Sequence, residues 1–222
     1  MNNIVIVDYG VGNILSVTRA FTYVGGAPLM TDSPDLIRSA KALVLPGVGA
    51  FGSAIQMLRE KNLLEPILEV AKSGRPFLGI CLGMQMMMEE SEEFGSHKGL
   101  GLIAGNVVAI PYQDTEGNSQ KVPHVGWNTI SDRTNKEGFE DEILRGIKQG
   151  SSFYFVHSFL CSPMDEEERV ADTSYGGVRI AAVIRKGNLF GCQFHPEKSG
   201  GKGLVFLKNF LDIVHKQSSI LV

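Results

Sequence analysis

Residues 77–85 read Phe-Leu-Gly-Ile-Cys-Leu-Gly-Met-Gln, and this stretch decides the fold. The apolar run 77–80 predicts a buried strand, and the helical pattern of residues 84–90 begins shortly after it. Cys81 lies between them with a glycine two residues away on each side, which is the nucleophile-elbow pattern with cysteine in place of serine. The glycines allow strand and helix to approach closely, and the helix N-terminus favours the thiolate. A buried structural cysteine at a strand end is the alternative interpretation.

Short apolar runs alternate with helical patterns on the N-terminal side of this elbow. The apolar runs predict strands at residues 4–7, 27–30 and 42–45. The helical patterns predict a helix over residues 14–24 capped by Asn13, a short helix opened by Ser33 and Pro34, and two helices between residues 53 and 73 that Pro66 separates. Strands and helices that alternate in this way predict a parallel sheet covered on both faces.

The half of the chain that follows the elbow has a different pattern, in which polar or glycine-containing loops separate strand-like runs. The predicted strands are residues 105–110, 127–130, 153–156, 178–184 and 189–194, and a final helix is predicted at residues 202–215. We therefore expect the α/β class: a doubly wound, mostly parallel sheet with helices on both faces plus an additional antiparallel sheet region. One domain is expected to span residues 1–222.

Composition argues against several classes of function. The chain has 222 residues, 43% of them apolar, and a net charge of −3, and it lacks the basic run that would indicate nucleic-acid binding. No apolar segment reaches the ~18 residues needed to span a bilayer, and the start of the chain does not read as a signal peptide. The three cysteines are widely spaced without a Cys-x-x-Cys pair, so neither a disulfide framework nor a metal site is expected. We expect a cytoplasmic protein without a cofactor.

Residues 195–197 read His-Pro-Glu and form the second chemical signal. Pro196 pushes His195 toward an extended conformation, in which residues two apart point to the same side. Glu197 would then lie beside the imidazole, fix its tautomer and stabilise its charged form. An incidental pair of polar residues in a surface turn is the alternative interpretation.

The third signal is the Pro-Gly-Val-Gly sequence at residues 46–49, directly after the third predicted strand. In sites built on a nucleophile elbow, one oxyanion donor is the N–H after the nucleophile, which is that of Leu82 here. The other comes from the loop after the third strand. A plain glycine turn is the alternative interpretation. All three signals follow strands whose ends lie at one edge of the expected sheet, where such folds place their active sites.

These three motifs, in this order, resemble those of the class I (triad) glutamine amidotransferases. Five segments further resemble the family of glutaminase subunits of imidazole glycerol phosphate synthase: residues 8–13 (DYGVGN), 98–101 (KGLG), 123–128 (PHVGWN), 154–158 (YFVHS) and 195–199 (HPEKS). The likeness runs from the first strand to the final helix. One departure is Phe159, where the family more usually has an aromatic hydroxyl.

The resemblance implies a role for each matching residue. Cys81 attacks the side-chain amide of glutamine and forms a thioester, His195 protonates the leaving ammonia and then activates water, and Glu197 orients His195. The N–H groups of Val48 and Leu82 form the oxyanion hole. The residues implied to hold the amino-acid head of glutamine are Gly49, Gln85, Glu93, His157 and Ser158. From the residues alone, Gln85 can equally serve the first helical turn, and Glu93 can belong to a solvated acidic run.

The resemblance also implies a partner. It is a cyclase subunit, a (β/α)8 barrel that receives ammonia through its core, in a heterodimer of histidine biosynthesis. The residues implied at this interface are Asn13, Trp127, Asn128, Tyr154 and Lys198. The loop that carries Val48 is implied to reorient, so that ammonia release is linked to acceptor binding in the partner. From the residues alone, Trp127 is either a core tryptophan or an interface anchor.

Three other functions remain open from the sequence. A paralogous glutaminase would supply ammonia to a different synthase, and a free-standing γ-glutamyl hydrolase would need no partner for full turnover. The third is a non-catalytic binding module on the same fold, and the three intact residue types of the triad argue against it.

Overall fold

The computed structural model of the chain describes residues 4–134 and 138–220. Its α-helices are α1 Ile14–Tyr23, α2 Pro34–Arg38, α3 Phe51–Glu60, α4 Leu64–Lys72, α5 Leu82–Met86 and α6 Gly200–Ile220. Its β-strands are β1 Ile4–Val7, β2 Pro28–Thr31, β3 Ala42–Gly47, β4 Phe77–Cys81, β5 Glu90–Ser91, β6 His97–Lys98, β7 Gly105–Ala109, β8 His124–Thr129, β9 Ser131–Asp132, β10 Ser152–His157, β11 Phe159–Pro163, β12 Arg169–Tyr175, β13 Val178–Lys186 and β14 Leu189–Cys192. Short 3-10 turns lie at Glu142–Leu144, Glu166–Glu168 and Pro196–Lys198. The start of the chain is not expected to be a signal peptide, and its residues 1–3 lie outside the described residues.

The largest sheet in the described residues has eight strands in the order β2-β1-β3-β4-β14-β13-β12-β9. The first five strands run parallel, and the pairs from β14 to β9 are antiparallel. The central strands β1, β3 and β4 are buried along their whole length, as expected for apolar runs covered from both sides. The predicted doubly wound α/β fold with an added antiparallel region is confirmed.

Helices cover both faces of this sheet. On one face, α1 and α6 enclose an apolar cluster in which the rings of Phe21 and Phe210 meet edge to face at 6.2 Å. On the other face, α2, α3 and α4 contribute residues such as Leu58 and Ile67 to a second cluster. None of the described helices is both long enough and apolar enough to cross a membrane.

The structure corrects two predicted boundaries before the elbow. β3 does not stop before Pro46, because its backbone stays in register with β4 as far as Gly47, opposite Cys81. Pro66 does not separate α3 from α4 but lies in the first turn of α4, where the missing N–H would have no partner within the helix. The break between the two helices is at Asn62, whose φ is 58°.

Two further corrections concern helix ends. The helix after the elbow begins at Leu82 and ends at Met86, earlier and shorter than the predicted 84–90, because the chain then turns toward β5. Asn13 precedes α1, but its side chain makes no capping bond to a described backbone N–H. Its amide instead reaches the Glu197 carboxylate across the fold.

The described residues form two smaller sheets besides the main one. β8 and β10 form an antiparallel ribbon, and β11, β7, β5 and β6 form a four-stranded sheet. The strands that were not predicted are β5, β6, β9, β11 and β12. β12 lacks a clear apolar pattern because its buried Asp172 forms an ion pair with Arg169 of the same strand. The ribbon sets Trp127 opposite Tyr154 and His124 opposite His157, so it connects exposed aromatic residues with the site described below.

Candidate active site

The elbow at Cys81 is a strained turn that joins β4 directly to α5. Cys81 has a φ of 54° and a ψ of −111°, a backbone conformation that residues with side chains rarely adopt. A Cβ on Gly83 would lie 1.7 Å from the carbonyl oxygen of Leu45, and a Cβ on Gly79 would lie 2.7 Å from the carbonyl oxygen of Gly83. The close approach of helix and strand therefore requires glycine at both positions.

His195 and Glu197 lie side by side on the turn that follows β14. The Nδ1 atom of His195 lies 2.9 Å from Oε1 of Glu197, and the two side chains are only 3% and 0% exposed. The Nε2 atom of His195 has no hydrogen-bond partner among the described residues. Burial acts to lower the pKa of His195, but Cys81 and Glu197 outweigh burial and raise that pKa to about 10. The surroundings therefore favour a charged imidazole next to the sulfur of Cys81.

The two remaining cysteines lie in different surroundings from Cys81. Cys161 and Cys192 are fully buried free thiols, and burial is the main cause that raises the pKa of each. Both are therefore protonated at neutral pH. Within residues 4–134 and 138–220, no group of three or more His, Cys, Asp and Glu side chains could hold a metal ion.

A cavity of about 270 Å³ lies over the elbow. Cys81 and His195 both line it, and the rest of its wall includes every residue predicted to bind glutamine or to form the oxyanion hole: Val48, Gly49, Leu82, Gln85, Glu93, His157 and Ser158. Pro123, Val156 and Phe159 complete the wall. The individual roles stay predictions, but residues predicted from five separate segments of the chain share one cavity.

The two predicted oxyanion donors belong to different elements. Leu82 is the first residue of α5, so its N–H is among the helix N-terminal donors that have no partner within the helix. Val48 is 40% exposed in the loop between β3 and α3, and Gly49 beside it has a φ of 99°. Of the two predicted oxyanion donors, only the N–H of Val48 therefore belongs to a loop.

Gln85 does not bond to its own helical turn, and Glu93 is not simply part of a solvated acidic run. The Nε2 atom of Gln85 lies 3.0 Å from the carbonyl oxygen of Phe159 and 3.0 Å from Oε1 of Gln193, so it bonds to other strands rather than to its own helical turn. An oxygen of Glu93 accepts a hydrogen bond from the Phe51 N–H at 2.5 Å and caps α3. The contact at Phe159 uses the backbone, so it does not depend on the missing aromatic hydroxyl.

Three contacts of the predicted triad residues do not follow from the sequence. Asn13 Nδ2 lies 3.4 Å from Oε1 of Glu197. Ser199 Oγ donates to the His195 carbonyl at 2.6 Å and accepts from the Tyr154 N–H at 3.0 Å, which fixes the triad turn against β10. Gln193 Nε2 lies 3.6 Å from the sulfur of Cys81. The two-residue spacing that paired His195 with Glu197 would also have placed Gln193 on their side.

Three of the residues predicted at a partner interface form one exposed cluster, which we call the aromatic patch: Trp127, Tyr154 and Lys198. Trp127 is 59% exposed and packs edge-on against Tyr154 at 6.2 Å, and the Lys198 ammonium lies 5.7 Å from the centre of the Tyr154 ring. The core interpretation of Trp127 is therefore wrong. The patch lies beside the triad turn, because Lys198 directly follows Glu197.

The other two predicted interface residues make half-buried or exposed contacts. Asn13 touches Glu197, as described above. The Nδ2 atom of Asn128 lies 2.8 Å from the Ser174 carbonyl oxygen and 3.3 Å from Nε2 of His124. Asn13 and Asn128 therefore each contact a buried side chain, that of Glu197 and that of His124 respectively.

A larger cavity of about 670 Å³ shares Glu93 with the first and lies between α3 and the turn from β5 to β6. Arg59, His97 and Lys98 are among the residues that line it. It contains neither Cys81 nor His195, so we place the chemistry in the smaller cavity.

Comparison with known proteins gives consistent matches. The sequence profile of the family described as glutamine amidotransferase class-I matches residues 5–214. Imidazole glycerol phosphate synthase subunit HisH 1 of Legionella pneumophila (strain Lens) is 51% identical over 96% of this chain and 100% of its own length. Imidazole glycerol phosphate synthase subunit HisH of Geobacter metallireducens is 45% identical over 95% of this chain and 98% of its own. Among solved structures, PurLQS from Thermotoga maritima has a TM-score of 0.67 at 21% identity, over 95% of this chain and 98% of that one, a likeness of fold alone.

Proposed function

This chain belongs to the class-I glutamine amidotransferase family, and we propose that it is the glutaminase subunit of an imidazole glycerol phosphate synthase. It would hydrolyse glutamine to glutamate and ammonia, with residues 1–222 acting as one glutaminase domain. The observation that carries the reaction is the buried His195–Glu197 pair, 2.9 Å apart, on the cavity that also holds Cys81. The likeness to HisH subunits over 96% of the chain supports the choice of synthase.

The first half-reaction breaks the amide bond of glutamine. The Cys81 thiolate attacks the δ-carbon, so a C–S bond forms and the carbonyl oxygen becomes an oxyanion. The His195 imidazolium then gives its proton to the amide nitrogen, the C–N bond breaks and ammonia leaves. The raised pKa of His195, about 10, suits a group that begins the cycle charged.

The second half-reaction restores the enzyme. Neutral His195 takes a proton from water, the water oxygen attacks the thioester, and the C–S bond breaks to return the thiolate. The carboxylic acid that forms releases its proton to solvent as glutamate. Glu197 keeps Nδ1 of His195 hydrogen-bonded throughout, so that Nε2 remains the atom that exchanges protons.

The remaining cavity residues bind and orient the substrate in this proposal. The N–H groups of Val48 and Leu82 stabilise the oxyanion. The carboxylate of Glu93 attracts the substrate ammonium, while Gln85, whose NH₂ group already has two protein partners, offers its carbonyl oxygen. Gly49, His157 and Ser158 form the rest of the cradle around the amino-acid head.

The partner in this proposal is a cyclase subunit with a (β/α)8 barrel, in a cytoplasmic heterodimer of histidine biosynthesis. The aromatic patch supports docking, because tryptophan and tyrosine are enriched among interface hot spots and Trp127 is exposed beside Tyr154. Asn13 and Asn128 would complete the interface. Ammonia would pass from the cavity into the barrel core rather than into solvent.

The test compares glutamate release by the chain alone, with the cyclase subunit, and with the cyclase subunit plus its nucleotide ligand. We expect a stable complex and the highest rate in the third mixture. Full turnover by the chain alone would indicate a free-standing γ-glutamyl hydrolase. Hydrolysis that the cyclase never stimulates would indicate a paralogue serving a different synthase, and no hydrolysis under any condition would indicate a binding module.

A further inference from the structure

Gln193 is a fully buried amide directly beside the nucleophilic sulfur. It follows the last residue of β14 and precedes the triad histidine by two positions, and its exposed fraction is 0%. Its Nε2 atom lies 3.6 Å from the sulfur of Cys81, within the range of an N–H···S hydrogen bond. A buried amide is retained only where its polar atoms find partners, so both ends of this side chain need to be accounted for.

The orientation of the Gln193 amide follows from a backbone carbonyl. The Phe159 carbonyl oxygen can only accept, so the group of Gln85 that lies 3.0 Å from it is the NH₂ group. The same nitrogen of Gln85 lies 3.0 Å from Gln193, whose nearer atom must therefore be the acceptor Oε1. The Nε2 atom of Gln193, with its two hydrogens, is thus turned toward the sulfur of Cys81.

We propose that Gln193 is a further catalytic residue, which donates an amide N–H to the sulfur of Cys81 and stabilises it as the attacking thiolate. The proposal deepens the glutaminase function above and rests on it. Gln85 and the Phe159 carbonyl position Gln193, since they fix which end of its amide faces the sulfur. Gln193 acts on the first half-reaction before any bond is broken, and again when the thioester releases the sulfur.

The charged imidazole of His195 also interacts with the sulfur, and the N–H of Gln193 adds a second donor. The Val156 carbonyl oxygen, 3.9 Å from the sulfur, can only accept. The described titratable side chains that interact electrostatically with Cys81 are Tyr9, Cys161, Cys192 and His195. Burial is the main cause that raises the pKa of Tyr9, Cys161 and Cys192, so all three are neutral at pH 7 and supply no positive charge to the thiolate. Glu197 acts on the sulfur through His195, and His157 on the cavity wall is neutral because burial lowers its pKa to about 3.

The test is the pH dependence of alkylation of Cys81 by iodoacetamide in the free full-length chain, followed by mass spectrometry. Gln193→Met keeps the length of the side chain and removes the donor. We expect its rate at pH 7 to fall about tenfold, with the half-maximal rate shifted to higher pH. Asn209→Leu is the matched control, because Asn209 is also a buried amide but donates to the Ile143 and Arg145 carbonyls far from the cavity.

A second variant keeps the test decisive if Gln193→Met does not fold. Gln193→Leu also removes the donor but fills the site with a branched apolar side chain, so alkylation at pH 7 should fall by about the same factor as in Gln193→Met. A pH profile equal to that of the unmodified chain, in whichever of the two variants folds, would overturn the proposal. Alkylation needs neither glutamine nor a partner, so this result is independent of whether the chain is a synthase subunit.

Discussion

The Nδ1 atom of His124 donates a hydrogen bond to the Nε2 atom of His157, 3.0 Å away across the ribbon of β8 and β10. The Nδ1 atom of His157 lies 2.8 Å from the Phe159 carbonyl oxygen, which can only accept, so this nitrogen carries a hydrogen. Burial lowers the pKa of His157 to about 3, so the ring is neutral at pH 7 and its Nε2 can only accept. The hydrogen of this bond therefore belongs to His124.

The His124–His157 bond joins two walls of the cavity, because Pro123 precedes one residue and Ser158 follows the other. Leaving the buried Nε2 of His157 without a donor should loosen this junction. We predict that His124→Leu raises the KM for glutamine about tenfold while kcat changes less. In His124→Asn, the side-chain nitrogen can take the place of Nδ1 and should retain most of the affinity. Steady-state kinetics of the complex would measure both, and equal KM values for the two variants would contradict this role.

Cys81→Ala and Cys81→Ser should abolish glutamine hydrolysis while fold and partner binding persist. Cys81 is the one cysteine of the three that lines the cavity, whereas Cys161 and Cys192 are 0% exposed and held protonated by burial. A diazo-ketone analogue of glutamine should therefore label Cys81 alone. Peptide mass spectrometry would locate the label, and its presence on either of the other two cysteines would refute the assignment.

His195→Ala should lower turnover by roughly 10³-fold or more, and Glu197→Gln should lower it less. In the proposed mechanism, His195 transfers protons in both half-reactions, whereas Glu197 orients the ring and stabilises its charge. The glutamine in Glu197→Gln still offers an oxygen to Nδ1 of His195 but removes the negative charge. Glutamate release under saturating glutamine would compare the two, and equal or reversed losses would contradict these roles.

The neutral His157 also predicts how stability depends on pH. Its pKa is about 3 in the folded chain against an ordinary value of 6.5, so the unfolded state binds a proton that the folded state does not. The contribution of His157 to stability is therefore complete above pH 6.5 and is lost as the pH falls from 6.5 toward 3. Denaturant unfolding at pH 7 and pH 4.5 should show a smaller loss in His157→Gln than in the unmodified chain. His215→Gln, at an exposed position of α6, is the control and should change this loss little.

The sequence predicts those parts of the site that depend on neighbours in the chain. The elbow is a strand, a turn and a helix within nine residues, and the His195–Glu197 pair follows from a spacing of two. The fold follows in the same way, because strands buried on both faces read as continuous apolar runs. Such features can be recognised in the sequence because all of the residues that form them lie within one short segment.

The contacts that the sequence does not predict join residues far apart in the chain. Asn13 has the residue type and the position of a helix cap, yet its side chain bonds to Glu197, 184 residues away. The Phe159 carbonyl positions both Gln85 and His157. Every residue has a backbone carbonyl, so the residue type at 159 does not reveal this role. Gln193 lies within the apolar run predicted as strand 189–194 and does not stand out there, although its spacing from His195 places it on the same side as the triad residues.

The loop that carries Val48 has the properties of a movable oxyanion donor. Val48 is 40% exposed, and Gly49 has a φ of 99°, which residues with side chains rarely adopt. On its other side the loop is held tightly, since a Cβ on Gly47 would lie 2.6 Å from the hydroxyl of the buried Tyr9. Rotation of the peptide is therefore easiest near Gly49, while Gly47 stays fixed to β3.

The last prediction links this loop to the partner. The free chain should be a poor glutaminase, and the cyclase subunit with its nucleotide ligand should raise the rate by about 10²–10³, which is the effect of one oxyanion donor. Gly49→Ala should weaken this stimulation, because the added Cβ meets no described atom within 4 Å yet strains the backbone at a φ of 99°. Its alkylation by iodoacetamide should stay unchanged, since the surroundings of the Cys81 sulfur are intact. Ammonia released without an acceptor wastes glutamine, so withholding a donor until the acceptor is bound has a chemical purpose. If the isolated chain hydrolyses glutamine as fast as the ligand-bound complex, the gating hypothesis is wrong and a free-standing hydrolase is the better interpretation.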